Sequence, residues 1–451
     1  MLNTKTLRFQ SILSLAFLAI LAAFLGLLMT GANYDWQGML LVGGGIGILS
    51  IFLLPRLARG EGGGFLKILI FGLLLKFVFA MVNYYFAFSV YGGVADAIHY
   101  HQTGTIISQY IWNSEFDKVG PFLNWSTDFI CFFTGVIYSA IGPSIFGGYL
   151  VYAFLSFLGS YYFYRAFRIA FPDGTKGLYM ALIFFFPPIL FWTSAIGKDA
   201  LMSLCLGLFA YGCAQIIQNR PRGLMPLALG FVGALWVRPH IAAVSLLAFG
   251  LAFFLPGARK KALSPATYII GLLAVGGLAW FLLPQVMSFL SLEELSPNEI
   301  VAYLQQFQGT SSRSGGAVFQ GINLNNPLDY LMTPINILFR PFPWEAHNLQ
   351  ALMEGLSGVF ILFLIIWRIK NLGRAIAASI SNTYLRYVLI YSIVFVIIFA
   401  AITNFGTLAR ERVMMQSFFF MLVSYGPSRL IKKHKILTGN AGELGVKPCP
   451  E

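Results

Sequence analysis

Charge is scarce in this chain. Asp, Glu, Lys and Arg make up 10% of its 451 residues, hydrophobic residues 58%, and the mean hydropathy is +0.75. Soluble domains carry about 25% charged residues, so this composition excludes one and points to an integral membrane protein. Acid is scarcer than base, with 17 Asp and Glu against 30 Lys and Arg, a net charge of +13. Cysteine is nearly absent: Cys131, Cys205 and Cys213 sit in apolar segments and Cys449 in the tail. Their spacing suggests neither a metal site nor a disulfide framework. No internal repeat is visible, which removes one support for a transporter built from inverted repeats. The apolar run behind Lys5 and Arg8 ends without a small-x-small cleavage site, so it reads as an uncleaved first span.

What is present is a series of apolar runs. Spans are expected at 9–30, 38–55, 66–88, 147–168, 178–195, 199–217, 223–237, 241–257, 267–284, 349–369, 384–403 and 411–428. Each is near the ~20 residues that a bilayer requires, or slightly under. A further run, 127–142, would place Arg165, Arg168 and Lys176 outside if it crossed. Read as interfacial or re-entrant, it leaves twelve spans, both termini in the cytoplasm and seven consecutive basic sites inside, as the positive-inside rule asks. Those sites include Arg56/Arg59/Lys67, Arg220/Arg222, Arg259/Lys260/Lys261 and Arg368/Lys370/Arg374. Topology and anionic headgroups thus account for the net charge, and nucleic acid has no place in the reading. The fold class is an all-α integral membrane protein. Its parts are two N-terminal helices (1–65), a transmembrane core (66–428) with outward loops at 89–146 and 285–348, and a basic cytoplasmic tail (429–451).

The remaining charged groups are informative, because charge near hydrocarbon is expensive and usually functional. In the first outward loop, residues 95–112 read as an interfacial helix on which Asp96, His99 and Tyr100 share a face, with His101 beside them. An Asp aimed into a membrane-bordered cleft can serve as a general base, or with His99 hold a divalent cation. Pro187-Pro188 prevents a regular helix, and the span ends at a tight turn where Lys198 and Asp199 begin the next. A Lys beside a helix N-terminus suits a phosphate. Arg238 and His240 form another outward turn, Arg340, Glu345 and His347 precede the tenth span, and Arg410 and Arg412 precede the last. In the second loop Ser296, Pro297 and Glu299 mark a helix start, and the Gly/Ser-rich 309–316 reads as a mobile loop or lid. A single outward Arg reads as interfacial snorkelling. Lys198, Arg238, Arg340, Arg410 and Arg412 together, on the face kept poor in base, are expected to line one cavity with Asp96 and to bind a phosphate or pyrophosphate headgroup.

An outward Asp after an early span, a second large outward loop and an Arg pair ahead of the final span resemble the GT-C superfamily, multi-spanning glycosyltransferases that use polyprenyl-phosphate-linked sugars. Tyr138-Ser-Ala-Ile-Gly-Pro-Ser144 also resembles the end of the first loop in such enzymes. The acidic pair common to many members, which would hold Mg or Mn, is here Asp96 followed by Ala97. The resemblance implies an inverting sugar transfer at the outer face of the plasma membrane, for a bacterium its inner membrane. Asp96 would be the base, and Lys198, Arg238, Arg340, Arg410 and Arg412 would hold the donor phosphate. His99, Tyr100, His101, His240, Glu345 and His347 would contact the acceptor or a metal. The acceptor is a glycan, a lipid or a protein, and membrane lipids surround the whole. O-antigen polymerases and ligases are similar as well. The competing class is a transporter or flippase for a lipid-linked or anionic solute, to which only Lys76, halfway along the third span, and Pro187-Pro188 point.

Overall fold

A segment in hydrocarbon must satisfy its own backbone hydrogen bonds, and these apolar runs do so as helices. The computed structural model describes residues 34–255, 296–313 and 317–426, with a few isolated positions between 276 and 287. The expected span at 9–30, nearly all of that at 267–284, the basic groups at 259–261, residues 314–316 and the 429–451 tail lie outside the described residues. Among the described residues there is no strand, only an isolated bridge between Val318 and Asn404.

The helices are α1 (Tyr34–Leu57), α2 (Phe65–Tyr85), α3 (Asp96–Trp112), α4 (Thr127–Ile141), α5 (Ile145–Ala170), α6 (Lys176–Phe185), α7 (Pro187–Trp192) and α8 (Lys198–Ile217). They continue with α9 (Leu224–Val237), α10 (Pro239–Phe254), α11 (Pro297–Arg313), α12 (Thr333–Phe339), α13 (Leu349–Ala378), α14 (Thr383–Ile398) and α15 (Phe405–Ser424). Six are long and apolar enough to cross a membrane: α1, α2 with its π-helical extension to Val90, α5, α8, α13, and α14 extended to Ala401. Phe52, Phe71, Leu74, Phe363 and Ile366 on α1, α2 and α13 stay exposed, an apolar exterior suited to lipid. At the centre α5 packs on α8, where Gly159 and Gly207 bring the backbones so close that a Cβ on either would strike the other helix.

Side-chain bonds define two ends of the bundle. At the basic end Arg168 donates to Glu61 at 3.1 Å, Arg368 to Thr175 at 3.0 Å and Arg386 to the Leu255 carbonyl at 2.8 Å. Arg386, and Arg368 through a further 3.2 Å bond to the Val423 carbonyl, cap helix-end carbonyls, and all three cations tie neighbouring segments together. The opposite end carries Asp35, Asp96, Asp199, Arg238 and Arg410. Both termini of α4 are held there: Ser126 N donates to the Trp236 carbonyl at 2.8 Å, and Ile145 N, just beyond α4, donates to Asp35 at 2.9 Å. So α4 lies across that end of the bundle and does not run along the spans. At 15 residues it is about 22 Å long, short of a ~30 Å hydrocarbon core. It pairs with α3 at Gly104 and Gly135, where a Cβ would collide with Thr134 or Ile107.

The expected interruption at Pro187-Pro188 is present: α6 stops at Phe185 and α7 restarts at Pro187. The Ile189 carbonyl near the end of α7 accepts from Thr193 and, at 3.0 Å, from the ammonium of buried Lys76. The cap at Ser296 forms, its hydroxyl accepting from Glu299 N at 3.2 Å. One boundary differs. The last helix begins at Phe405, because Asn404 caps it by accepting from Thr407 N at 3.0 Å, so Arg410 and Arg412 lie within the helix and not ahead of it.

Candidate functional site

Four elements bring their charged residues together at the Asp35 end. Asp96 opens α3 and Asp199 stands in the first turn of α8, where carboxylates meet the positive ends of helix dipoles. Arg238 occupies the turn between α9 and α10, and Arg410 and Glu411 follow in the second turn of α15. Arg410 donates to Asp96 at 2.6 Å and also to Asp199. Arg238 donates to Asp199 at 2.8 Å and also to Glu411. The result is an alternating chain, Asp96–Arg410–Asp199–Arg238–Glu411, with Lys198 close enough to act on Asp96 through its charge. With Lys198 included, the formal charges of these groups cancel. An incoming anion would therefore gain either arginine only by displacing a carboxylate. Asp96 is the one open to displacement, its side chain being 59% exposed against 9% for Asp199 and 12% for Glu411.

Burial alone would raise the Asp96 carboxyl, but the charge and hydrogen bond of Arg410, with Lys198 and Arg238 behind, hold it below the usual carboxylate range. Tyr100, one turn along α3, is buried under Gly197, and burial together with Asp96 pushes its phenol up to about 12. It is therefore a neutral hydroxyl at physiological pH.

The chain of charges borders a cleft of about 510 Å³. Asp96, Asp199, Arg410 and Glu411 line it, together with Asn348, Gln350 and Glu354 from the start of α13. Phe191 and Trp192 at the end of α7 line it as well, as do Asn83 of α2 and Ala87 of its π-helical extension. That span leaves its regular geometry at the cleft, through the π-helical turn Phe86–Val90, a distortion frequent at functional sites.

The expected single cavity for all the basic residues divides in two. Arg410 and Asp96 face the cleft, and Arg238 stands behind them. Arg412 lies about 200° around the helix from Arg410 and points the other way. It is 0% exposed, donates to Glu354 at 2.6 Å, and caps the Leu338 and Arg340 carbonyls at 3.1 and 2.9 Å. The Arg340 guanidinium stacks over Phe319 at 4.7 Å and approaches Glu345 at 3.4 Å, while Glu345 also accepts from Phe342 N at 2.8 Å. Arg340 and Glu345 thus brace the 317–345 segment internally, and Arg412 holds it against the bundle.

The histidines scatter. His101 shares a 2.8 Å hydrogen bond with the Tyr138 hydroxyl, and burial lowers its pKa. His99 is exposed, with Nε2 3.8 Å from Cys131 Sγ. His240 packs against Phe399, and only His347 lines the cleft. Among the described residues no three His, Cys, Asp or Glu side chains stand close enough together to hold a metal ion, so the expected Mg or Mn finds no such cluster there.

Three cleft residues escaped sequence reasoning. Glu354 carried a visible signal, an acid inside an apolar span. Its buried carboxylate accepts from Trp192 Nε1 at 2.7 Å as well as from Arg412. Gln350 and Trp192 carried none, because both residue types are ordinary at the end of a span. Comparison with known proteins adds nothing to the geometry: no protein-family model, no curated protein and no solved structure matches this chain.

Proposed function

We propose that this protein is a membrane glycosyltransferase that moves a sugar from a polyprenyl-phosphate-linked donor to an acceptor on the extracytoplasmic face. The observation that carries the reading is the Asp96–Arg410 pair at the edge of the cleft, an exposed carboxylate occupying a cation that a phosphate would prefer. Arg forks bind phosphate oxygens bidentately, and Arg410 already offers two of its nitrogens to carboxylates. When the lipid phosphate draws Arg410 toward itself, Asp96 loses the partner that depresses its basicity. It can then take the proton of the acceptor hydroxyl. The acceptor oxygen attacks the anomeric carbon, the bond from that carbon to the phosphate oxygen breaks, and the polyprenyl phosphate leaves with its charge met by Arg410. Attack opposite the leaving group inverts the centre. Lys198 and Arg238 support this field from behind, and Arg340 and Arg412 are left out of donor binding. A polymerase or ligase of lipid-linked glycans would use the same groups with a larger acceptor. Transport is the second reading, favoured by the buried Lys76 against the helix broken at Pro187, but the charged cleft opens at one end of the bundle and not at its middle.

The test is an assay of the purified protein in lipid nanodiscs with a panel of polyprenyl-phosphate and polyprenyl-pyrophosphate sugars, scored by release of the lipid phosphate. Turnover of one donor is the expected result. Flux of the intact donor across vesicles, with no release, would favour transport.

The orientation follows from charge. Among the described residues, the basic end carries Arg56, Arg59, Lys67, Arg165, Arg168 and Lys176, with further Lys and Arg on α13 and near Pro221, against the carboxylates Glu61 and Asp173. The site end carries carboxylates in comparable number to its cations. By the positive-inside rule we read the basic end and both termini as cytoplasmic, the orientation that goes with the twelve spans expected from the sequence. Single cysteines at Arg165 and Lys176 should react with a membrane-impermeant maleimide only after permeabilisation, and a cysteine at Asn124 should react in intact cells. The opposite pattern would invert the topology and remove the extracytoplasmic assignment.

A further inference from the structure

The residues that line the cleft are of two kinds. Around Arg410 they are formal charges, each already answered by a partner. The start of α13 adds neutral hydrogen-bonding groups to the lining. Gln350 is only 9% exposed and lines the cleft, yet its side-chain amide makes no hydrogen bond to any described residue. Its amide atoms therefore open onto the cleft, where water or a ligand can meet both the donor and the acceptor. Two residues earlier, Asn348 uses its carbonyl oxygen to cap α13, accepting from Ala351 N at 2.7 Å, which leaves its amide nitrogen as a donor. Beside them the Trp192 indole is fixed by its 2.7 Å bond to Glu354 and forms part of the cleft wall. A ring held in this way presents an apolar face whose quadrupole favours C–H bonds of partial positive charge. Unpartnered amides next to an immobilised indole match one ligand chemistry well: a ring with hydroxyls at its edge and C–H bonds on its face.

We propose that the α13 wall is the subsite for a hexose ring, seated on Trp192 with hydroxyls on Gln350 and Asn348, while Arg410 holds the phosphodiester. This deepens the glycosyltransferase reading and rests on it. The division assigns recognition of the sugar to residues that carry no charge, and recognition of the phosphate to Arg410. Glu354 acts here as a positioning residue, through Trp192.

Binding of two short-chain diesters of equal charge separates the two sets of residues. Farnesyl methyl phosphate carries the phosphodiester alone, and a farnesyl-phosphoryl-hexose panel (glucose, mannose, galactose) adds the ring. Affinities would be read in nanodiscs for wild type, Gln350→Ala, the volume-conserving Gln350→Met, and Arg410→Ala. At least one hexose diester should bind wild type about 10-fold or more tighter than the methyl diester, the worth of one or two good hydrogen bonds. Both Gln350 variants should lose most of that margin and keep the methyl diester affinity, whereas Arg410→Ala should weaken every diester by a similar factor. A margin that survives in both Gln350 variants, or is missing from wild type, overturns the subsite and leaves the phosphate reading standing. Failure of every diester to bind wild type overturns both. Because the Gln350 side chain has no protein partner, the two variants should melt like wild type.

Discussion

Asp96→Asn is expected to reduce sugar transfer by about 10²–10⁴-fold, the usual contribution of a general base. The asparagine oxygen can still accept from Arg410, so the cleft keeps its shape and donor binding should stay within a few-fold of wild type. Turnover with an identified donor and affinity for the same donor, measured on both proteins, are the readouts. The pH profile gives a second. Arg410 holds Asp96 below the usual carboxylate range, so in the free protein the carboxylate is ionised at neutral pH and becomes protonated only as the pH falls through that depressed value. The acid limb of kcat/KM, which reports the free enzyme, should therefore lie below the range of an ordinary aspartate. If the donor phosphate draws Arg410 away, Asp96 returns toward its ordinary value and the acid limb of kcat should lie higher than that of kcat/KM. Asp96→Asn should remove both limbs with the activity. Near-normal turnover in this variant would exclude Asp96 as the base. Asp199 would then be the next carboxylate to test, since it lines the cleft and Glu345 does not.

Much of the scaffold was legible because hydrocarbon imposes simple rules. Apolar runs of the right length became the helices Tyr34–Leu57, Ile145–Ala170 and Lys198–Ile217, and the paired prolines broke the helix where the missing N–H groups required it. Charge balance alone kept residues 127–142 from being counted as a crossing, and the bonds at both ends of Thr127–Ile141 agree. The site was legible only as a list of residue types. Arg410 and Arg412 look alike in sequence, yet helical geometry sends one into the cleft and the other into the core, and the start of the helix at Phe405 decides which. Grouping five cations in one cavity overlooked the carboxylates that would have to neutralise them. Asp199, Glu411 and Glu354 come from three helices, and each finds its Arg partner on a different element. Such pairings depend on packing between helices far apart in the chain, about which neither composition nor spacing carries information. Gln350 shows the same limit: its lack of a partner is a fact of three-dimensional surroundings.

Arg412→Ala is expected to be among the most destabilising single substitutions in the chain. Arg412 is 0% and Glu354 2% exposed, so both partners of the pair are buried. Removing the guanidinium strands the Glu354 carboxylate and also strips the cap from the Leu338 and Arg340 carbonyls, which hold the end of the Thr333–Phe339 helix. Breaking one side of a buried ion pair typically costs about 3–5 kcal/mol, mostly because the remaining charge is left without compensation. That is a large share of a typical stability of about 5–15 kcal/mol, so much of the protein should fail to leave a detergent column as a monodisperse peak. The second half of the prediction identifies the cause. In Arg412→Ala/Glu354→Gln the stranded charge is gone, while the glutamine oxygen can still accept from Trp192 Nε1. The double variant should therefore recover part of the loss, with a coupling of about 0.5–3 kcal/mol in thermal or denaturant unfolding. Arg410→Ala makes the contrast. Asp199 keeps Arg238 and Asp96 keeps its solvent, so this substitution should cost less stability than Arg412→Ala and be felt mainly in donor binding. Equal destabilisation by the two, with no recovery in the double variant, would mean that α15 is sensitive to any change at this height and that the Arg412–Glu354 pair has no separate role.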